Sequence, residues 1–160
     1  MNIAIILPSL KNKAPIQVAL DIANYLAKNR CNVDIYILKN IVELTYGGKI
    51  SKITLFKEIK FDYYDIIHSH MLLPDIYIWI HRHKIKSICI TTLHNEIDKV
   101  MLNSYNYIIG KIFSFLWTKS LSSQNEIICL SNHAKKQLSS KNNLTKSSFI
   151  YNGRTVKKIK

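Results

Sequence analysis

The stretch NIAIILPSLKNKAPIQVALDIANYLAK, Asn2 to Lys28, decides the fold. Asn2 to Leu7 is an apolar run of strand length, which reads as a strand buried on both faces. From Pro15 to Lys28 the spacing changes. Ile16, Ala19, Leu20, Ala23, Leu26 and Ala27 fall on one helical stripe, and Pro15 suits the first helical position. Val33 to Leu38 follows as a second strand. Strand, loop, helix and strand in this order form a parallel crossover unit.

Outward from this unit the alternation continues. Gly47-Gly48 marks a turn before a short strand within Ile50 to Phe56. Asp65 to His70 is a strand, and Pro74 to His83 a short helix opened by proline. Lys86 to Thr92 is another strand, and Asp98 to Leu121 a long apolar helix broken near Gly110. Glu126 to Leu130 is a strand, Ser131 caps a helix running to about Ser140, and Ser148 to Tyr151 is a last strand. The pattern predicts an α/β fold: a Rossmann-like parallel sheet with helices on both faces. Ligands of such folds bind beyond the carboxyl ends of the strands. Those ends are the loops starting at Pro8, Ser69-His70, His94-Asn95 and Ser131.

The chain has 160 residues, 48% apolar and 21% charged, enough for one cored domain and too apolar for intrinsic disorder. No apolar run is long enough for a membrane-spanning helix. Ile3 to Leu7 is too short for a signal-peptide core and has no cation ahead of it, so a cytoplasmic protein is expected. Net charge is +13, and only three of the 23 basic residues are Arg. Two readings stay open. One is the codon bias of an AT-rich genome, and the other a field that attracts polyanions. A base-reading protein would favour Arg forks, so the Lys excess leans away from specific nucleic-acid binding and toward an anionic membrane surface or codon bias. Cys31, Cys89 and Cys129 are odd in number and far apart, which reads as core thiols in a reducing compartment.

The polar residues at the strand ends carry the functional expectations. Ser9, Lys11 and Lys13 lie in the loop that opens the first helix, where free N–H groups suit a phosphate. The Gly-x-Gly-x-x-Gly and Gly-x-x-x-x-Gly-Lys fingerprints are absent, which argues against a dinucleotide cofactor or a P-loop. His68 and His70 point the same way on a strand end. His68 is expected to be a hydrogen-bonded core residue, and His70 to be more exposed to the cleft and to touch substrate. A metal site built from His68, His70 and His94 is an alternative, with Asp75 the nearest acid. His81 and His83 are expected to be solvated. His94 stands at the mouth of a strand, where an imidazole can bond a sugar hydroxyl or a reacting group. Tyr105 to Trp117 is either a core helix or a face that enters a bilayer, with Lys111 and Lys119 on lipid headgroups.

Five segments together resemble glycosyltransferase family 4. They are Asn2 to Leu10; Asp65-Ile-Ile-His-Ser-His-Met-Leu-Leu-Pro-Asp75; Ile90-Thr-Thr-Leu-His-Asn95; Ile127 to Ser131 followed by Ala134-Lys-Lys-Gln-Leu138; and Ile150-Tyr-Asn-Gly153. The resemblance implies the amino-terminal, acceptor-side half of a GT-B fold. Such enzymes move a sugar from a nucleotide-diphosphate donor to an acceptor with retention, usually without a metal or other cofactor. Bacterial acceptors are often lipid-linked saccharides of surface polymers. By this resemblance His94 contacts the donor sugar or reacting region. His70, Asn95 and Ser131 are assigned to substrate, and Ser9, Lys11 and Lys13 to the diphosphate. Pro15 stands where the family's loop carries glycines, and Pro15 offers no N–H. Residues 1–153 are expected to form the domain and 154–160 a basic tail or the start of a linker. The donor-binding carboxyl-terminal domain would be missing or separate, so the chain alone is expected to be inactive. A non-catalytic α/β binding module with a basic surface is the alternative.

Overall fold

The computed structural model describes residues 1–142, 144 and 146–153. The elements run β1 (Asn2–Leu7), α1 (Ala14–Lys28), β2 (Asn32–Ile37), β3 (Ile50–Lys52), β4 (Ile66–His70), α2 (Leu72–His81) and β5 (Ile88–Leu93). They continue with α3 (Ile97–Ser104), α4 (Tyr107–Leu121), β6 (Glu126–Cys129), α5 (Asn132–Asn142) and β7 (Ser147–Phe149). The tail expected at 154–160 lies outside the described residues.

The seven strands form one parallel sheet in the order β3-β2-β1-β4-β5-β6-β7. The apolar run of β1 divides between its two faces. Ile3, Ile5 and Leu7 pack with Val33, Ile35 and Ile37 under Ile16, Ala19, Leu20 and Ala23 of α1. Ala4 and Ile6 pack with Ile67, Tyr77, Ile78 and Cys89 on the opposite face. A third cluster gathers Leu93, Ile97, Met101, Trp117, Leu121, Ile127, Cys129 and Leu138 around β5 and β6. Each fully buried Ile or Leu contributes roughly 1.5–3 kcal/mol, so both faces must stay covered. No helix among the described residues is long and apolar enough to cross a membrane.

Several boundaries differ from the sequence expectations. Helix α2 starts at Leu72, which places Pro74 inside the first turn, where its missing N–H costs nothing. The long apolar helix is two helices, and the break falls at Tyr105-Asn106 rather than at Gly110. Asn106 caps α4, its Oδ1 accepting from the Ile109 amide at 3.0 Å. Gly110 instead lies where α4 crosses α3: a Cβ there would stand 3.0 Å from the Met101 carbonyl oxygen. The Ser114 hydroxyl donates to Asp98 across the same crossing. His83 is exposed as expected, but His81 is buried and its Nε2–H donates to the Leu55 carbonyl at 3.0 Å. The Cys89 and Cys129 thiols are buried in the core, and burial pushes the Cys89 thiol up to about 11.

The strand order fixes where a site can sit. From β1 the chain leaves through α1 to β2 and β3, then returns to β4 on the other side of β1. The loops after β1 and β4 therefore diverge, and the crevice between their carboxyl ends is the topological switch point.

Candidate functional site

On β4 the side chains alternate. Ile67 and Ser69 face α2, and His68 and His70 face the α1 side, their ring centroids 4.3 Å apart. His68 Nε2 lies 2.8 Å from Thr92 Oγ1 on β5. His70 Nδ1 lies 3.1 Å from Nε2 of His94, just past the end of β5. The expectation that His70 would be the more exposed imidazole is corrected: His70 is 0% exposed, and His94 is the one that reaches solvent. Pairing of His70 with Thr92 in the β4–β5 ladder puts the His70 ring beneath the loop that carries His94.

Burial favours the neutral form of all three rings. It lowers His68 to about 4, helped by the neighbouring His94, and lowers His94 to about 4. It holds His70 well below the usual imidazole range, with His68 and His94 adding to the effect. Two neutral imidazoles share one proton in the His70–His94 contact. Whichever ring donates, Nε2 of His70 is left buried without a partner among the described residues. That atom is a polar anchor under the strand tips, suited to a hydroxyl or a bridging water.

The opposite face of the same strand ends is locked by a residue that sequence reasoning noted only as the nearest acid. Asp75 is fully buried at the start of α2. Its Oδ1 accepts from Ser69 Oγ at 2.6 Å and Thr91 Oγ1 at 2.7 Å, and its Oδ2 accepts from Trp117 Nε1 at 2.7 Å. One carboxylate thus ties β4, β5, α2 and α4 together. Burial pushes it up to about 6, against the three hydrogen bonds that favour its charge. The signal was present in Leu72-Leu-Pro-Asp-Ile-Tyr-Ile-Trp-Ile80: a lone acid in an apolar helix is buried with partners. Met71, between His70 and α2, holds φ 75° and ψ 169°, a strained conformation for a non-glycine residue that concentrates at functional sites.

The other candidate residues surround this centre. Ser9 is buried at the tip of β1, its Oγ accepting from the Lys11 amide at 3.3 Å. Lys11 and Lys13 are exposed. The anion cradle expected at the α1 start is narrow, since Pro15 has no N–H and the amides of Ile16 and Gln17 close on the Lys13 carbonyl. Glu43 Oε2 accepts from the Asn12 amide at 2.9 Å and fixes the loop. Asn95 lines a shallow pocket with Glu96, Ile97, Thr118, Cys129 and Gln137, between β5, β6 and the helices after them. Ser131 caps α5, its Oγ accepting from the Ala134 amide at 3.1 Å. Thus His70 and His94 are in contact, Asn95 adjoins them, and Ser9 and Ser131 end the strands on either side. Among the described residues no three His, Cys, Asp or Glu side chains form a group able to hold a metal. The three rings stand side by side, His70 bonded to His94 and His68 to Thr92.

With this geometry in view, comparison with known proteins gives a consistent answer. The chain is 28% identical over 165 residues to an O-antigen biosynthesis glycosyltransferase, WclY, of Escherichia coli, an alignment covering 96% of this chain and 45% of the relative. The chain therefore spans about half the length of the curated relatives it matches. Among solved structures, Anabaena HepE in complex with UDP superposes with a TM-score of 0.70 at 13% identity, over 96% of this chain and 44% of that one. The sucrose-phosphate synthase of Thermosynechococcus elongatus superposes with a TM-score of 0.71 at 13% identity, over 96% of this chain and 48% of that one. At such identities the likeness establishes the fold, the Rossmann-like half of a GT-B architecture. The model of Glycosyltransferase Family 4 matches residues 17–158, and the chain belongs to that family.

Proposed function

We propose that the chain is the acceptor-side half of a nucleotide-sugar-dependent glycosyltransferase of bacterial surface polysaccharide synthesis. It would work with retention at the anomeric carbon on a lipid-linked saccharide. The observation that carries the reading is the His70–His94 pair: a solvent-reaching neutral imidazole at a strand tip, held from below by a buried one. Membership of the family, the O-antigen relative and the UDP bound to HepE support it.

In this reading His94 offers a hydrogen bond to the donor sugar or the reacting hydroxyl, and its ring is kept in one orientation by His70 Nδ1. His70 and Asn95 place the acceptor, with Ser131 at the neighbouring strand end. Ser9, Lys11 and Lys13 lie toward the diphosphate. Departure of a nucleoside diphosphate develops negative charge, which the lysine cations would stabilise in place of a glycine-rich amide cradle. An oxocarbenium-like centre needs orientation more than a strong base, which suits imidazoles kept neutral by burial. The nucleotide sugar is a substrate, and no resident cofactor is invoked.

The partner of this half is a donor-binding domain, supplied by further chain or by a separate one. In this reading residues 1–153 make up the acceptor-side domain. The place of work is the cytoplasmic face of the membrane. The test is transfer of a labelled sugar from its nucleotide to acceptor-bearing membranes. The 160-residue chain alone should give none, and addition of a donor-binding half should restore it. Transfer by the pure chain alone would overturn the reading.

A further inference from the structure

We propose that the outer face of α4 is a docking surface for an anionic phospholipid bilayer. The inference deepens the reading above, because it supplies the surface on which a lipid-linked acceptor is met, yet its physical grounds are separate.

Helix α4 carries large apolar side chains on both its inner and its outer face. Gly110, Ser114, Trp117, Ser120 and Leu121 face the protein, so three of its five inward positions are small or polar. Trp117 and Leu121 are buried and Phe113 is partly so, while several of its other large apolar side chains point to solvent. Ile108, Ile112 and Phe115 are 72%, 53% and 69% exposed, and they follow one another at steps of four and three residues. They form one stripe along the helix. Tyr107, itself 70% exposed, flanks it. Single exposed apolar residues are ordinary, but an ordered stripe on one helix marks a contact surface.

The charge beside the stripe selects the occupant. Lys119 continues it one turn further, and Lys111 Nζ stands 5.8 Å from the centre of the Tyr107 ring. Between Asp98 and Glu126 the sequence holds Lys99, Lys111 and Lys119 and no acid. A second copy of the chain would bring a net +13 against +13. An anionic bilayer satisfies both parts, taking the apolar stripe at its acyl boundary and the ammonium groups on its phosphates. The placement also fits the site. Helix α3 begins three residues after His94, and α4 packs on α3 through Gly110, so the apolar end of α4 lies on the strand-tip side of the fold.

The test is co-sedimentation of the 160-residue chain with phosphatidylglycerol–phosphatidylethanolamine vesicles and, separately, with pure phosphatidylcholine vesicles. Binding should appear on the anionic vesicles at low salt, fall at least about tenfold on the zwitterionic ones, and fall again when salt is raised about tenfold. The double variant Ile108→Ser, Phe115→Ser should lose at least about tenfold in partition with its circular dichroism and melting unchanged, because both side chains are exposed. Lys111→Gln with Lys119→Gln should lose on the order of tenfold on anionic vesicles alone. Tyr25→Ser with Phe56→Ser, exposed apolar residues elsewhere, should change nothing. Absence of anionic-vesicle binding would overturn the inference. So would binding that the Ile108, Phe115 variant keeps, or a dimer dissolved by that variant without vesicle binding. With a donor-binding half supplied, sugar transfer by a chain that does not bind vesicles sinks this inference alone, and vesicle binding without transfer in that same mixture sinks the glycosyltransferase reading alone.

Discussion

Acidifying the protein should unfold it unusually early, because three imidazoles are buried neutral at the strand tips. His68 has an ordinary value near 6.5 when the chain is unfolded and about 4 when folded. Between those values the unfolded chain binds a proton that the folded chain refuses. Stability is therefore fully present above pH ~6.5 and falls as pH drops, by about 1.4 kcal/mol per pH unit for one such ring. His70 acts in the same direction, and His94 does so more weakly because it reaches solvent. Asp75 opposes them. Its folded value, about 6, lies above its unfolded one, so it gains in relative stability as pH falls through the same window. The buried imidazoles outnumber the one carboxyl, so the balance is a net loss of stability as pH falls between about pH 6 and 4.5. Urea denaturation followed by circular dichroism at half-unit steps of pH measures it. His68→Gln keeps a polar partner for Thr92 and should flatten the slope by about 1.4 kcal/mol per unit. A stability that is level from pH 7 to 5, or a slope that His68→Gln leaves unchanged, would refute the argument.

Three further substitutions test the packing that positions the site. Asp75→Asn keeps the shape but turns an amide toward Trp117 Nε1, so about 1–3 kcal/mol should be lost in urea denaturation. Gly110→Val drives side-chain atoms into the Met101 carbonyl and the Leu102 side chain, and should lower the melting temperature even though it removes a residue of poor helix propensity. Asn106→Ala removes the cap of α4 and should cost about 1 kcal/mol, measured in the same way.

The sheet was legible because its signal is local. Ile3 to Leu7 and the helical stripe from Ile16 to Ala23 read the same in sequence and in space, and parallel strands buried on both faces announce themselves as apolar runs. The helix break was misplaced because Gly110 is a packing device, required by the approach of α3 at 3.0 Å, whereas the stop comes from the Asn106 cap. Histidine burial was legible only in part: His68 was expected as a hydrogen-bonded core residue and is one, bonded to Thr92, whereas two other imidazoles were misjudged. His70 looked like a cleft residue and is sealed; His81 looked solvated and donates to Leu55. An imidazole carries no local mark of its partners, which here come from residues 24 and 26 positions away. Asp75 was named for its charge, but its role depends on Ser69, Thr91 and Trp117 meeting it from three elements.

The central claim is that the strand tips bearing His70 and His94 are the working edge of one half of a sugar transferase. It is tested most directly by joining residues 1–153 to the carboxyl-terminal half of the Escherichia coli O-antigen relative and measuring nucleotide release from a nucleotide sugar in the presence of acceptor-bearing membranes. The account predicts turnover by the folded chimera and a loss of at least about 100-fold with His94→Ala, the scale of removing one group that acts on the reacting centre. A folded chimera without turnover, or turnover that His94→Ala leaves intact, would contradict it.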